Sequence, residues 1–256
     1  MTPLTITQIQ MDIVWGDLAA NCQTAARLID QAPGSDLYIL PEMFSTGFAT
    51  EPEGIADAHL ASLRWMQEKA DATGAALCGS VATRCEDSTY RNRFYFVKPG
   101  ENMKAAYYDK HHLFTYGNEH LHYTAGQQRV TVEWRGARFL LQVCYDLRFP
   151  VFSRNRAGAD GYDAMIYVAS WPTSRIEPWR ALLRARAIEN QCYVYGVDRI
   201  GSDPACNYCG GTECIDPYGR VLGACPDNEP GTLTTTLDLE TLQAFRKKFP
   251  VLMDAD

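Results

Sequence analysis

Residues 129–150 limit the folds open to this chain. Residues 129–134 and 138–143 read as two short strands separated only by Arg135-Gly136-Ala137, so tight a connection that they must pair antiparallel. The second arm, Phe139-Leu140-Leu141-Gln142-Val143, is too short for a helix, suits a buried strand, and stops on Cys144 before the chain turns polar. Pro99-Gly100 marks another hairpin, between residues 93–98 and 103–108. Elsewhere strands alternate with helices. Strand 4–10 leads into a helix capped by Asp17, and strand 37–40 precedes helix 59–73, whose apolar face is Leu60, Leu63, Met66 and Ala70 and which stops at Gly74. Strands 164–169 and 192–197 flank helix 177–191, strand 232–237 closes the sheet, and residues 239–249 form a last helix. Hairpins cannot join the strands of a purely parallel sheet. A layered α/β fold with mixed sheets therefore fits better than a Rossmann fold.

At 256 residues, with no Pro/Gly/Ser-rich or highly charged linker, the chain reads as one domain spanning 1–256. Twenty-four basic against 31 acidic residues leave a net charge of −7 and no basic patch, so capture of nucleic acid is not expected. No apolar window of about 18 residues suggests a membrane span. The first basic residue is Arg27, which leaves no charged region of a signal peptide, and a cytoplasmic protein is expected. Nine cysteines, an odd number, argue for reduced thiols rather than a disulfide framework. Cys206 and Cys209, with Cys214 close by, have the spacing of a redox pair or half a zinc site. A second close pair and a nearby histidine are missing, so ordinary loop thiols are the better reading and no metal is expected.

Chemistry is expected where strands end. Cys144 sits at a strand-to-helix junction, where free amides favour a thiolate and a neighbouring oxyanion, with Asp146 read as the N-cap of the following turn. A buried cysteine packed as a small hydrophobe is the ordinary alternative. Glu42 follows strand 37–40 and Lys110 follows strand 103–108. Each alone reads as a surface charge. Together with Cys144 they supply the base, the cation and the nucleophile that amide hydrolysis by a thiol needs. His111, His112, His120 and His122 lie close together, so a histidine base stands as a rival.

Leu40-Pro41-Glu42-Met43-Phe44, Asp109-Lys110-His111-His112-Leu113-Phe114 and Cys144-Tyr145-Asp146-Leu147-Arg148-Phe149-Pro150 resemble, in order and spacing, the three signature segments of the nitrilase superfamily of carbon–nitrogen hydrolases. Residues 184–190 and Asp216-Pro217-Tyr218-Gly219 support the likeness, which runs from Leu4 to the C-terminus. The resemblance implies a four-layer αββα sandwich and a Glu42–Lys110–Cys144 triad. It implies that Glu119 supports the site, that Lys110 and the Tyr145 amide hold the oxyanion, that no cofactor or metal is used, and that the molecule is a homodimer or larger. The histidines then fall back to packing and hydrogen bonding. Residues 118–123, residues 170–175 and Lys248-Phe249-Pro250 look most like the bacterial omega-amidases, which deamidate 2-oxoglutaramate and 2-oxosuccinamate. Such small amides carry a distal carboxylate, for which a guanidinium is the natural reader. Arg175 is the first candidate, with Trp171 in the same segment also set against the substrate. Arg148 is the second candidate for the substrate carboxylate, with a role as partner of a buried carboxylate weighing more for it. The cysteine-bearing segment 206–211 departs from the family pattern and leaves pocket detail open. A carbamoyl amide hydrolase or aliphatic amidase, transfer of the acyl group to an amine, and a non-catalytic binding scaffold are the alternatives.

Overall fold

Alternation along the strands decides the layering. The computed structural model describes residues 2–158 and 160–254. It begins with β1 (Leu4–Gln10), α1 (Leu18–Asp30), β2 (Leu37–Ile39), α2 (Ala61–Thr73), β3 (Ala76–Arg84), β4 (Tyr90–Val97) and β5 (Ala106–Asp109). A one-turn helix, α3 (Glu119–His122), precedes β6 (Thr131–Trp134) and β7 (Ala137–Val143); α4 (Pro150–Ser153), β8 (Ala164–Ala169), α5 (Ile176–Asn190) and β9 (Tyr193–Asp198) follow. A ribbon of β10 (Ile200–Ser202) and β11 (Asn207–Cys209) leads to β12 (Glu213–Ile215), β13 (Val221–Ala224), β14 (Gly231–Leu237) and α6 (Leu239–Lys248).

Two six-stranded sheets result, in the orders β14-β1-β2-β3-β4-β5 and β13-β12-β9-β8-β7-β6. Strands β1, β2 and β3 run parallel in one sheet and β7, β8 and β9 in the other, because helices carry the chain between them. Hairpins add the antiparallel strands β4, β5 and β6. On β2, β4, β7 and β8 alternate residues (Leu37 and Ile39, Phe94 and Phe96, Phe139 and Leu141, Ile166 and Val168) fill the space between the sheets. The opposite faces carry Tyr38, Leu77, Tyr95 and Val97 against α1 and α2, and Met165, Tyr167 and Val194 against Trp179, Leu183 and Ala187 of α5. The order helices, sheet, sheet, helix is the αββα sandwich. Each fully buried Leu or Phe contributes about 1.5–3 kcal/mol, so the fold is carried by this central layer and its two flanking layers.

Three details depart from the sequence reading. Leu60 is 40% exposed and in a left-handed conformation, because the Asp57 carboxylate takes the His59, Ala61 and Ser62 amides and starts α2 two residues later. The strand expected from residue 103 begins at Ala106, since Lys104 closes a turn onto Glu101 and the Met103 amide is drawn to Gln67. The segment around Cys206 is not plain loop: it is the tip and second strand of the β10–β11 ribbon.

Candidate active site

The parallel strands bring their C-terminal ends together, where ligand chemistry is assembled in α/β sheets. Glu42 lies just past β2, Lys110 just past β5, Cys144 just past β7 and Ser170 just past β8. Lys110 is seated by Gly126, where any Cβ would collide with the Asp109 carbonyl; its own amide donates to the Asn92 carbonyl, and its carbonyl accepts the Gly126 amide.

Glu42, Lys110 and Glu119 form a fully buried cluster. Lys110 Nζ donates to Glu42 Oε1 at 3.0 Å and to Glu119 Oε1 and Oε2 at 3.1 and 2.9 Å. Asn92 Nδ2 bridges the same two carboxylates at 2.8 and 3.1 Å, the Ser170 amide donates to Glu42 Oε2 at 2.8 Å, and the Phe114 amide donates to Glu119 Oε2 at 2.6 Å. Burial works against the Lys110 charge, but the Glu119 and Glu42 carboxylates outweigh it and hold this amine above its ordinary range. Glu119 is pushed up by burial and by Glu42, against the pull of Lys110. The lysine stays a cation throughout.

Cys144 has φ +45°, a left-handed backbone that costs a non-glycine residue about 1–2 kcal/mol. Asp146 holds it there. Asp146 is not the N-cap expected from the sequence but the third residue of the 3-10 turn Cys144–Arg148, and its Oδ2 reaches back to the Val143 amide at 3.0 Å. The same carboxylate accepts from Tyr108 Oη at 2.8 Å, from the His112 amide at 2.9 Å and from His112 Nδ1 at 2.8 Å, tying the nucleophile's turn to the lysine's loop. Burial, then the charge of Glu42, pushes the Cys144 thiol well up, with Lys110 only partly opposing. The resting group is thus a thiol and not the thiolate anticipated from the helix end, and it needs a base at the moment of attack.

Cys144 lies on the floor of a cavity of about 740 Å³ that Tyr145, Arg148, Trp171 and Arg175 also line. All eight residues singled out from the sequence therefore gather in one place, three beneath the cavity floor and five facing the space. Arg148 is not tied to a buried carboxylate. Its guanidinium lies 4.9 Å over the Trp171 ring, and that of Arg175 lies 5.6 Å over Phe114. Among the described residues neither guanidinium has an ion-pair or hydrogen-bond partner. The histidines point elsewhere: His111 Nδ1 pairs with the Gly126 carbonyl at 2.7 Å, His112 Nδ1 with Asp146, and His122 with Glu53 at 3.5 Å. Sequence reading missed Asn92 and gave Ser170 no role of its own, while the segment around Cys206, expected near the site, forms one rim of the cavity.

The chain matches the carbon-nitrogen hydrolase family over residues 5–247, and it belongs to that family. It is 44% identical to omega-amidase YafV of Escherichia coli (strain K12) over 257 residues, covering 100% of this chain and 98% of that protein. The 2-oxoglutaramate amidase of Bacillus subtilis (strain 168) is 34% identical over 254 residues, with 98% and 96% covered. Among solved structures, XC1258 from Xanthomonas campestris, a CN-hydrolase superfamily protein with an arsenic adduct in its active site, superposes with a TM-score of 0.94 at 40% identity, over 100% of this chain and 98% of that one.

Proposed function

We infer that this chain is an omega-amidase that hydrolyses the terminal amide of short 2-oxo dicarboxylic acid monoamides, 2-oxoglutaramate and 2-oxosuccinamate, to the acid and ammonia. The observation that carries the substrate class is the pair of arginines, Arg148 and Arg175, that open without an anionic partner onto the cavity holding Cys144. Two such cations in a partly dry pocket suit a ligand that brings its own carboxylate. The relatives' names agree with this reading.

The chemistry follows from the buried cluster. Glu42 takes the Cys144 proton as sulfur attacks the amide carbon. The oxygen, now negative, is held by Lys110 Nζ and the Tyr145 N–H, which lies in the first turn of a 3-10 helix where amides have no intrahelical acceptor. Collapse of the tetrahedral adduct expels ammonia, protonated by Glu42, and leaves a thioester. Glu42 then deprotonates a water that attacks the thioester, and returns that proton to the departing sulfur. Glu119 shares Lys110 with Glu42 and keeps the ammonium aimed between them. Everything required is a side chain or amide of one catalytic domain, and no cofactor or metal enters. Nine unpaired thiols suit a reducing, cytoplasmic setting. No helix among the described residues is long and apolar enough to cross a membrane.

The test is Arg175→Met, assayed by ammonia release from 2-oxoglutaramate and from a neutral short amide. Leaving the substrate carboxylate desolvated without its partner costs about 2–5 kcal/mol, so turnover of the acid amide falls by about 30-fold or more while the neutral amide changes little. Equal loss on both substrates would move the reader's role to Arg148. No loss on either would remove the physical basis for this substrate class.

The same reading includes a dimer or larger assembly. Ile188, Tyr218, Leu222, Phe249 and Met253 are exposed apolar residues, and the Tyr218 ring lies 4.0 Å from that of Phe245, which neighbours Phe249. A second copy covering this face removes it from water. Light scattering at micromolar concentration is expected to give at least twice the 28.7 kDa of one chain, and Phe249→Asp to shift the population toward monomer. A monomeric wild type would refute the assembly.

A further inference from the structure

Ser170 and Trp171 are neighbours whose backbone amides serve two different carboxylates. The Ser170 amide donates to Glu42 Oε2 and the Trp171 amide to Asp198 Oδ1, each at 2.8 Å. Asp198, the last residue of β9, is fully buried and accepts the Arg199 amide at 2.9 Å on the same Oδ1, while its Oδ2 has no partner. From Trp171 the connection runs outward. The indole Nε1 donates to the Arg175 carbonyl at 2.6 Å, and the Arg148 guanidinium rests on the ring face.

We propose that Asp198 is a positioning residue: by holding the Ser170–Trp171 turn it ties the orientation of Glu42 to the placement of the two arginines that read the substrate carboxylate. The arginine half rests on the substrate reading given above, and the Glu42 half does not. One oxygen of Asp198 accepts two buried amides that no other side chain serves, so its loss leaves both unpaired at the foot of the turn. When the turn relaxes, Glu42 loses the amide that fixes Oε2, and Trp171 loses the anchor that sets its ring under Arg148 and its N–H against Arg175. Only an acceptor oxygen is required for this, not a negative charge. Burial and the nearby Glu42 charge push the Asp198 carboxyl well above the usual carboxylate range, against the pull of the two amides and of Arg199. An asparagine in its place supplies the same oxygen.

The experiment compares Asp198→Asn and Asp198→Ala in kcat and KM on 2-oxoglutaramate and on butyramide, with the rate of Cys144 alkylation by iodoacetamide read by peptide mass spectrometry. The asparagine variant is expected within about threefold of wild type in every quantity. The alanine variant is expected to lose about 10²-fold in kcat/KM on the acid amide, divided between a lower kcat and a higher KM, while butyramide shows only the fall in kcat. Alkylation slows as well, because Glu42 no longer faces the thiol squarely. A purely structural role would lower the amount of folded enzyme without moving the ratio between the two substrates. If the alanine variant does not fold, Asp198→Ser, whose hydroxyl is too short to reach both amides, is read the same way. Wild-type kcat, KM and alkylation in the folded alanine variant would overturn the proposal, as would an asparagine variant equally impaired. If the wild type fails to hydrolyse 2-oxoglutaramate, the substrate reading falls on its own, and the alkylation rates still decide whether Asp198 positions Glu42.

Discussion

Cys144→Ala is expected to abolish ammonia release, by about 10⁴-fold or more, and to leave the thermal melting transition almost unchanged. The loss is large because no other sulfur can take its place: Cys206 also lines the cavity but stands on the ribbon rim, and Cys209 is buried on β11. Stability is spared because the thiol is neutral at rest. Its removal strands no charge, and Glu42 keeps Lys110, Asn92 and the Ser170 amide as partners. Cys206→Ala and Cys209→Ala are the controls, and both should retain most of the activity. A folded loop variant that lost activity would revive the redox or metal reading of the Cys206–Cys209 pair. Acyl-enzyme trapping adds a second readout, since mass spectrometry of the quenched wild type should find the substrate's acyl group on Cys144 and on no other cysteine.

The site was legible wherever an apolar strand ended on a reactive side chain, and this is how Glu42 and Cys144 stand out. Lys110 is visible for the same reason at the end of β5, although that strand starts later than its sequence suggests. Asn92 was within reach of the same logic. Alternation along β4 places it on the face of Phe94 and Phe96, where a polar side chain must have a buried partner, and it has Glu42 and Glu119. Asp198 was not, because an aspartate after an apolar strand reads equally well as the first solvated residue of a loop. The β10–β11 ribbon was hidden by its length: strands of three residues show no alternation to detect. The Arg148 reading failed on direction. A buried carboxylate was the partner expected for it, but the nearby Asp146 faces Val143, Tyr108 and His112, leaving Arg148 to Trp171 and the cavity. Backbone conformation was equally out of reach, since no pattern of residue types marks Cys144 as left-handed.

Glu42→Gln is expected to lower kcat by about 10²–10⁴-fold, the range for removing a positioned general base. Glutamine keeps the size of the side chain, but the site is hostile to it. Every neighbour is a donor: Asn92 Nδ2 and Lys110 Nζ converge on Oε1, and the Ser170 amide on Oε2. Whichever way the amide turns, its NH₂ faces another N–H, so about 1–3 kcal/mol of stability should be lost along with the base. Lys110 remains paired with Glu119, which keeps the loss well short of unfolding. Single replacements of His111, His112, His120 and His122 separate the two possible bases. None of these histidines lines the cavity, and His112 spends Nδ1 on Asp146, so each should cost far less than the glutamine change. A folded histidine variant as inactive as Glu42→Gln would transfer the role to that residue. Alkylation of Cys144 decides how the proton leaves. Burial, then the Glu42 charge, keeps the resting group a thiol, so a slower reaction with iodoacetamide in Glu42→Gln shows that Glu42 takes the proton during attack, and a faster one that its charge only held the proton on sulfur. If the rate is unchanged in Glu42→Gln, the sulfur is already ionised before substrate arrives, and the carboxylate is needed only to protonate ammonia and to activate water.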